Sequence, residues 1–394
     1  MNLRLRITLL TNAFLPHAGG SRFYYFNLFK RIADCGDEVT ILTSKLPGWQ
    51  EFDACEQTPG FKIKRHFTPL RDVSYSQLPK GAGPMLAAGL ECLLHRPDIL
   101  HCGDLYPEGV IGVMLKEMLK IPFVAYCHGE DITLTDQRRF QPKVRDIIYR
   151  AADAVIANGD FAVENLQRIG IERGKIHKIT PGLDTNVFFP VKPDAKLRER
   201  YGISSKDVVL MTVARLTPRK GHARIIRALA KLRADIPDFK YVIIGQGPIE
   251  AELRALAAQL SMMDKIVFAG FVPGGELNRH YNMADLMAMP NTEVAGNIEG
   301  FGMVFLEANA AGKPVIGGRS GGTSAAVADG ESGFLVASDT DVELHDALRK
   351  LITDRGLRER MGAEGLRRAR EQFDWDSRSA ALRKISYDIV TASR

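Results

Sequence analysis

Short apolar runs alternate with amphipathic stretches of helical length along the whole chain, and the rhythm runs through twice. The runs Ile7–Thr11, Glu38–Thr43, Ile99–Cys102, Phe123–Tyr126, Ala154–Ala157 and Lys175–Ile179 read as strands. Amphipathic stretches such as Ser21–Cys35 lie between them. The segment Pro181–Pro193 has three prolines and little periodicity, so it reads as a linker. The rhythm then restarts at Val208–Val213 and continues through Tyr241–Gly245, Ile266–Phe268, Leu286–Pro290, Pro314–Gly317 and Gly333–Val336. Strands separated by helices imply parallel sheets covered by those helices. The expected fold class is therefore α/β, with two doubly wound domains facing each other across a cleft. Their limits are 1–186 and 187–374, and residues 375–394 form a helix with no strand after it. In such folds ligands bind at the C-terminal edges of the strands, so the chemistry is sought in the βα loops.

Composition removes several classes. The chain has 394 residues and a net charge of +6, which raises the question of nucleic acid. Residues 1–186 carry 23 basic and 21 acidic side chains, and residues 187–394 carry 30 and 26. The excess is spread over both halves, so no dedicated nucleic-acid surface is implied. Cys35, Cys55, Cys92, Cys102 and Cys127 are irregularly spaced and form no CxxC, against a disulfide framework or zinc module. The alternation of Leu3, Leu5 and Ile7 with Arg4 and Arg6 fits a first strand rather than a signal peptide. No apolar run approaches the ~20 residues that span a bilayer. The expected location is cytoplasmic, with peripheral contact at the inner face of a membrane left open.

Several motif matches are set aside. Asp339-Thr340-Asp341 and Asp374-Trp375-Asp376 spell DxD, and the first precedes a helical stretch as an N-cap would. Gly318-Arg319-Ser320-Gly321-Gly322 spells GxSxG between a strand and a helix. An esterase with Ser320 as nucleophile is therefore the alternative from another reaction class. It needs a later His, and His345 lies inside a helical pattern. Neither GxGxxG after the first strand nor GxxxxGK[ST] occurs.

Four loops stand out instead. Gly19 and Gly20, in Pro16-His17-Ala18-Gly19-Gly20, allow close backbone approach to a ligand at a helix start. Arg215-Leu216-Thr217-Pro218-Arg219-Lys220-Gly221 sets three cations directly after a strand, which suits a diphosphate. Glu299-Gly300-Phe301-Gly302-Met303-Val304-Phe305-Leu306-Glu307 brackets a helix start with two carboxylates. Each carboxylate can accept two hydroxyls of a sugar, and the backbone N–H groups from Phe301 to Val304 lie between them. His128, in Tyr126-Cys127-His128-Gly129-Glu130-Asp131, ends a strand and could orient a hydroxyl. Gly245-Gln246-Gly247 adds a tight strand-to-helix turn.

Together these residues resemble the retaining GT-B glycosyltransferases of family 4, the group 1 glycosyl transferases. The resemblance covers nearly the whole chain and is strongest from Val208 to Val336, where the E-x7-E segment Glu299–Glu307 is its most specific element. Ala308–Ile316, Ser320-Gly321-Gly322 and Asp329–Val336 follow in the family's order. The stretch around Ala288-Met289-Pro290 and Glu299 is most similar to bacterial phosphatidylinositol mannoside mannosyltransferases. The resemblance implies two Rossmann-like domains, the first for the acceptor and the second for the nucleotide sugar, with the C-terminal helix returning to the first. It implies His128, Arg215, Lys220 and Glu299 as the catalytic set. Gly19, Gly20, Gly245, Phe271, Val272, Phe301, Gly302, Met303, Val304 and Glu307 would bind the donor, with Phe271 and Val272 at the base and Glu307 at the ribose. The donor would be a UDP- or GDP-linked hexose, with no metal and no other cofactor. The acceptor would be a hydroxyl of a glycan, a lipid-linked molecule or a small molecule. A non-catalytic nucleotide-sugar-binding protein on the same fold is the third reading.

Three positions depart from the family pattern. Gly36-Asp37-Glu38-Val39 stands where Gly-His-Glu-Val is common, Ala325 where a Glu is common, and Pro181-Gly182-Leu183-Asp184 where Pro-Asn-Gly-Val-Asp is common. Two basic stretches, Lys62, Lys64 and Arg65, and Arg138, Arg139, Lys143, Arg145 and Arg150, are compatible with an anionic membrane face or with solvated surface.

Overall fold

The computed structural model describes residues 4–12, 14–16, 19–67, 78–136 and 141–393. It divides into two units, Met1–Pro181 with Trp375–Arg394, and Gly182–Asp374. His17, Ala18, Arg138 and Arg139 lie outside the described residues.

The first unit is built on a seven-stranded sheet in the order β3-β2-β1-β4-β5-β6-β7. Its strands are β1 (Arg6–Leu10), β2 (Glu38–Ser44), β3 (Phe61–Phe67), β4 (Ile99–Cys102), β5 (Phe123–Cys127), β6 (Ala154–Ala157) and β7 (Ile176–Lys178). Neighbouring strands pair in parallel. The connections carry α1 (Gly20–Asp34), α2 (Trp49–Cys55), α3 (Leu78–His95), α4 (Val110–Leu119), α5 (Glu130–Asp136), α6 (Gln141–Ala151) and α7 (Asp160–Arg168). β4, β5 and β6 are buried at every position, as expected of parallel strands covered on both faces.

The second unit repeats the plan with six strands, in the order β10-β9-β8-β11-β12-β13. They are β8 (Val208–Val213), β9 (Phe239–Ile244), β10 (Ile266–Gly270), β11 (Leu286–Met289), β12 (Val315–Gly318) and β13 (Gly333–Val336). Its helices are α8 (Ala195–Arg200), α9 (His222–Leu232), α10 (Glu250–Gln259), α11 (Gly274–Met283), α12 (Met303–Ala310), α13 (Thr323–Ala326), α14 (Val342–Thr353) and α15 (Arg355–Gln372). Along β8, Val209 and Met211 enter one core, with Phe305 and Leu306, while Leu210 enters the other, with Ile225 and Leu348. Both sheets reverse their winding beside the first strand, between β1 and β4 and between β8 and β11. The loops leaving those two strands diverge, which opens a crevice at the C-terminal edge.

The last helix, α16 (Trp375–Ser393), packs on α1. Its Ser386 Oγ donates to Leu382 O at 2.9 Å, so it accepts from buried His101 Nε2 at 3.1 Å. Tyr126 Oη then donates to His101 Nδ1 at 2.9 Å. Arg383 reaches Asp37, whose carboxylate is fully buried, at 2.5 Å, and Leu5 N–H donates to the same carboxylate at 2.9 Å. The acid at position 37 therefore anchors the last helix, which accounts for one of the departures noted in the sequence.

Three expectations change. Strand β3 was not anticipated, because Phe61-Lys62-Ile63-Lys64-Arg65 reads as basic surface. Lys64 pairs with Glu91, and buried Arg65 pairs with Asp53 at 2.7 Å. In the second basic stretch, buried Arg145 pairs with Asp136 and Asp146, and Arg150 donates to the carbonyls of Ile169 and Gly170. Much of both stretches is thus committed internally. The segment expected as a linker is held to the second unit instead. Leu183 enters its core and its N–H donates to Phe373 O at 2.6 Å, while Phe188 packs edge-on against Tyr281. The compact units meet at Pro181–Gly182.

Candidate active site

In the second unit the site starts at the end of β8. Ala214–Thr217 leads into a short turn at Pro218–Lys220, and Gly221 then opens α9. Gly221 has φ +79°, and a Cβ there would lie 2.4 Å from Pro290 O, so only glycine fits. Gly245 is constrained in the same way, with φ +133° and a Cβ position 1.9 Å from Ala214 O. Leu216 N–H donates to Gln246 O at 3.0 Å. The Gly245-Gln246-Gly247 turn thus holds the strand end that carries Arg215.

From β11 the chain runs through Asn291 and Thr292 to Glu299. Thr292 N–H donates to Arg219 O at 2.9 Å, tying the two loops together. Arg219 Nη1 donates to Glu299 Oε2 at 2.8 Å, and Lys220 Nζ donates to the same oxygen. All three side chains are only 12–13% exposed, so solvent screens them little. Burial alone would raise the Glu299 carboxyl, but Lys220 and Arg219 outweigh it and hold it below the usual carboxylate range. Burial pulls the Lys220 ammonium down, and the like charges of Arg219 and Arg215 add to this against Glu299. Arg215 is exposed, and its guanidinium has no hydrogen bond or ion pair among the described residues. One carboxylate thus faces two cations, with the like charge of Arg215 felt at Lys220, and the excess positive charge suits a multiply charged anion.

The loop around Glu299 is shaped by the GxSxG segment. Gly322 N–H donates to Glu299 O at 2.8 Å, and a Cβ at Gly321 or Gly322 would strike the carbonyls of Glu299 or Gly300. Asn291 fixes the same turn, accepting from Gly318 N–H at 3.1 Å and donating to Thr323 Oγ1 at 2.9 Å. Ser320 makes no hydrogen bond to a histidine among the described residues, and His345 lies on α14. The nucleophile reading of Ser320 therefore lacks its base. One acid of each DxD match is engaged: Asp341 accepts from Arg224 and Asp376 from Arg31, each at 2.8 Å.

Gly302, at φ +89°, turns the chain into α12, leaving Met303 and Val304 N–H in its first turn, while Phe301 is buried against Phe373. Glu307 sits on α12 and accepts from Tyr281 Oη at 2.7 Å. Burial pushes its carboxyl up to about 7, with the Tyr281 hydroxyl pulling the other way. After β10, Phe271 is 64% exposed and Val272 is buried beside it, giving an open ring next to a fixed backbone.

In the first unit, Gly19 precedes α1 and Gly20 begins it, and a Cβ at Gly20 would meet nothing within 4 Å. His128 follows β5. Its ring Nε2 lies 2.7 Å from Tyr25 Oη, and its backbone N–H donates to Asp131 Oδ2 at 2.5 Å. Burial lowers the His128 imidazole, against Asp104 and Glu130. Burial also pushes the Asp131 carboxyl up to about 6.

The structure therefore joins Lys220 to Glu299 directly and sets Glu307, Met303 and Val304 on the following helix. Sequence reasoning gave Arg219 to the diphosphate with Arg215 and Lys220 but not to the catalytic set, and in the structure it is the second cation on Glu299. It missed Tyr281, which meets Glu307, and Tyr25 and Asp104, which act on His128, because each is remote in sequence from the residue it acts on and reaches it only through tertiary packing.

Comparison with known proteins gives the family and the fold. The family described as Glycosyl transferases group 1 matches residues 193–368, and the one described as Glycosyltransferase Family 4 matches residues 18–187. The chain is 33% identical, over 96% of its length and 97% of the relative's, to the GDP-mannose-dependent alpha-(1-6)-phosphatidylinositol monomannoside mannosyltransferase of Mycolicibacterium smegmatis. It is 29% identical, over 91% of its length and 88% of the relative's, to the D-inositol 3-phosphate glycosyltransferase of Kribbella flavida. Among solved structures, Anabaena HepE in complex with UDP and glucose has a TM-score of 0.80 at 20% identity, covering 98% of this chain and all of that one. Sucrose-phosphate synthase from Thermosynechococcus elongatus has a TM-score of 0.84 at 24% identity, covering 99% of this chain and all of that one. The fold is GT-B, and the chain belongs to the group 1 glycosyl transferases of glycosyltransferase family 4.

Proposed function

We propose that the protein transfers mannose, with retention, from GDP-mannose to a hydroxyl of a phosphatidylinositol-mannoside-type acceptor, using no metal. The observation that carries the transferase reading is the buried group of Arg219, Lys220 and Glu299 in the same loop set as the exposed Arg215. The choice of donor and acceptor is supported by the mycobacterial relative, whose name specifies GDP-mannose and an alpha-(1-6) product. An α-linked donor giving an α-linked product is a retaining reaction. UDP-hexoses are the alternative donors, supported by HepE.

In this reading the bond from sugar C1 to the β-phosphate oxygen breaks and negative charge grows on the departing diphosphate. Arg215, Lys220 and the Met303 and Val304 N–H groups stabilise it. The acceptor oxygen bonds to C1 on the same face, and its proton passes to the departing phosphate. Glu299 accepts from sugar hydroxyls and Glu307 from the ribose, while Gly245, Phe271 and Val272 line the base site. In the first unit, Gly19 and Gly20 leave room for a ligand at the start of α1, and His128 meets a hydroxyl.

A lipid acceptor calls for contact with a bilayer. No helix among the described residues is long and apolar enough to cross one. Large apolar side chains are nevertheless exposed on three neighbouring helices: Leu90, Leu93 and Leu94 on α3, Met114 and Met118 on α4, and Ile147 on α6. Lys120, Lys143 and Arg150 are exposed on or beside the same helices. That combination suits the surface of an anionic membrane.

The test is a transfer assay with GDP-mannose and UDP-sugars on phosphatidylinositol monomannoside, with the product anomer read by NMR. The expected result is α-linked mannose, unchanged by a chelator and lost in Lys220→Ala. Absence of both transfer and binding for every nucleotide sugar tried would overturn the reading.

A further inference from the structure

The hydrogen bonds around His128 determine more than its position. Tyr25 Oη lies 2.5 Å from Gly103 O and 2.7 Å from His128 Nε2. A carbonyl oxygen only accepts, so the one phenolic hydrogen is directed to Gly103. Tyr25 Oη can then only accept from the imidazole, and Nε2 carries the proton. Glycine at 103 permits this, since a Cβ there would lie 3.1 Å from the Tyr25 ring.

The ring is not free to leave this arrangement. Tyr25 is 1% exposed and packs edge-on against Tyr126 at 5.1 Å and Tyr24 at 5.7 Å. Burial, with Asp104 beside it, puts its phenol well above the ordinary range, so it remains a hydroxyl. Nδ1 of His128 has no hydrogen bond among the described residues, and the residue is half-buried rather than enclosed.

We infer that Tyr25 is a positioning residue that holds neutral His128 as the Nε2–H tautomer, so that the imidazole meets a substrate hydroxyl as a hydrogen-bond acceptor at Nδ1. The inference rests on the reading of His128 as the residue that meets a hydroxyl. It adds which nitrogen does so, in which role, and which residue sets that role. Without the phenol the two tautomers would compete, and the Nδ1–H form presents a donor where the hydroxyl needs an acceptor.

The test is nitrogen-15 NMR of the full chain labelled at histidine, with the His128 signals assigned by their loss in His128→Asn. The expected spectrum at pH 8 shows a protonated Nε2 and an unprotonated Nδ1. In Tyr25→Phe, which keeps the packed ring, Nδ1–H should become populated. The turnover number should fall about tenfold, the equivalent of ~1.4 kcal/mol, with KM for the donor unchanged. An Nδ1–H tautomer in the wild-type protein overturns the inference, and so does an unchanged tautomer in Tyr25→Phe. If His128→Asn kept full activity while wild-type His128 was Nε2–H, the reading of His128 would fail and the hydrogen-bond assignment would stand.

Discussion

Removing the charge of Glu299 gives two opposite results that can be measured on one variant. In Glu299→Gln, Lys220 and Arg219 keep their places but lose their anion. Breaking a buried pair by removing one partner costs about 3–5 kcal/mol, and exposures of 12–13% place this case near 3. For a domain of 150–250 residues each kcal/mol moves Tm by about 2–4 °C. The second unit, Gly182–Asp374, falls in that range, so its transition should drop by roughly 6–12 °C. The measurement belongs near pH 6.5, because burial and the neighbouring arginines pull the Lys220 ammonium down and Glu299 opposes them. GDP or UDP at ~100 times its dissociation constant should add about 2.7 kcal/mol to the wild-type protein. In the variant the phosphates replace the missing anion, so the gain should be larger and recover much of the lost Tm. Transfer should still fall by ~10²-fold or more, since the sugar loses its carboxylate. Differential scanning fluorimetry with and without nucleotide, beside a transfer assay, reads all three. A variant as stable as the wild type without nucleotide would refute the charge-balance argument. A variant that lost diphosphate affinity along with stability would refute it equally.

Glu307 gives a pH test. Its carboxyl is raised from 4.5 to about 7 by burial, so its protonated form favours the folded state. That contribution is complete below about pH 4.5 and is lost as pH rises through about 7. Glu307→Gln should therefore gain stability relative to wild type between pH 5 and 8 in urea melts, and a constant difference over that window would count against the assignment. Asp37→Asn should cost about 2 kcal/mol in the same melts, the buried-pair figure reduced for an Arg383 that is 29% exposed. A change within about 0.5 kcal/mol would show that the α16 anchor contributes nothing. Leu94→Ser with Met118→Ser should weaken sedimentation with phosphatidylinositol-rich vesicles at low salt while leaving Tm unchanged, because both side chains are exposed, 68% and 72%. Undiminished binding by the double variant would exclude this face as the membrane contact.

Much of the donor loop set was legible in the sequence because it depends on local chain chemistry. Gly221, Gly245 and Gly302 mark positive φ values at strand-to-helix turns, and those turns place the residues beside them. Glu299 and Glu307 stand out because their spacing brackets a helix start. The roles of Arg65, Arg145 and Asp37 were not legible. Each looks like surface charge in the sequence, and in the fold at least one member of its ion pair is buried: Arg65 with Asp53, Arg145 with Asp136, and Asp37 with Arg383.

Taken alone, the sequence determined the doubly wound halves, since short apolar runs and helical patterns are properties of neighbouring residues and survive without tertiary context. It also determined the family, through the loop from Arg215 and the segment from Glu299. The return of α16 to the first unit was expected from the family resemblance, but only the tertiary structure decided that His101, Asp37 and α1 hold it there. The same is true of Leu183 closing the second unit, Tyr281 holding Glu307, and Tyr25 spending its hydrogen on Gly103. These depend on which groups meet across long sequence separations in a low-dielectric interior, where each donor must find an acceptor, and no local pattern records that.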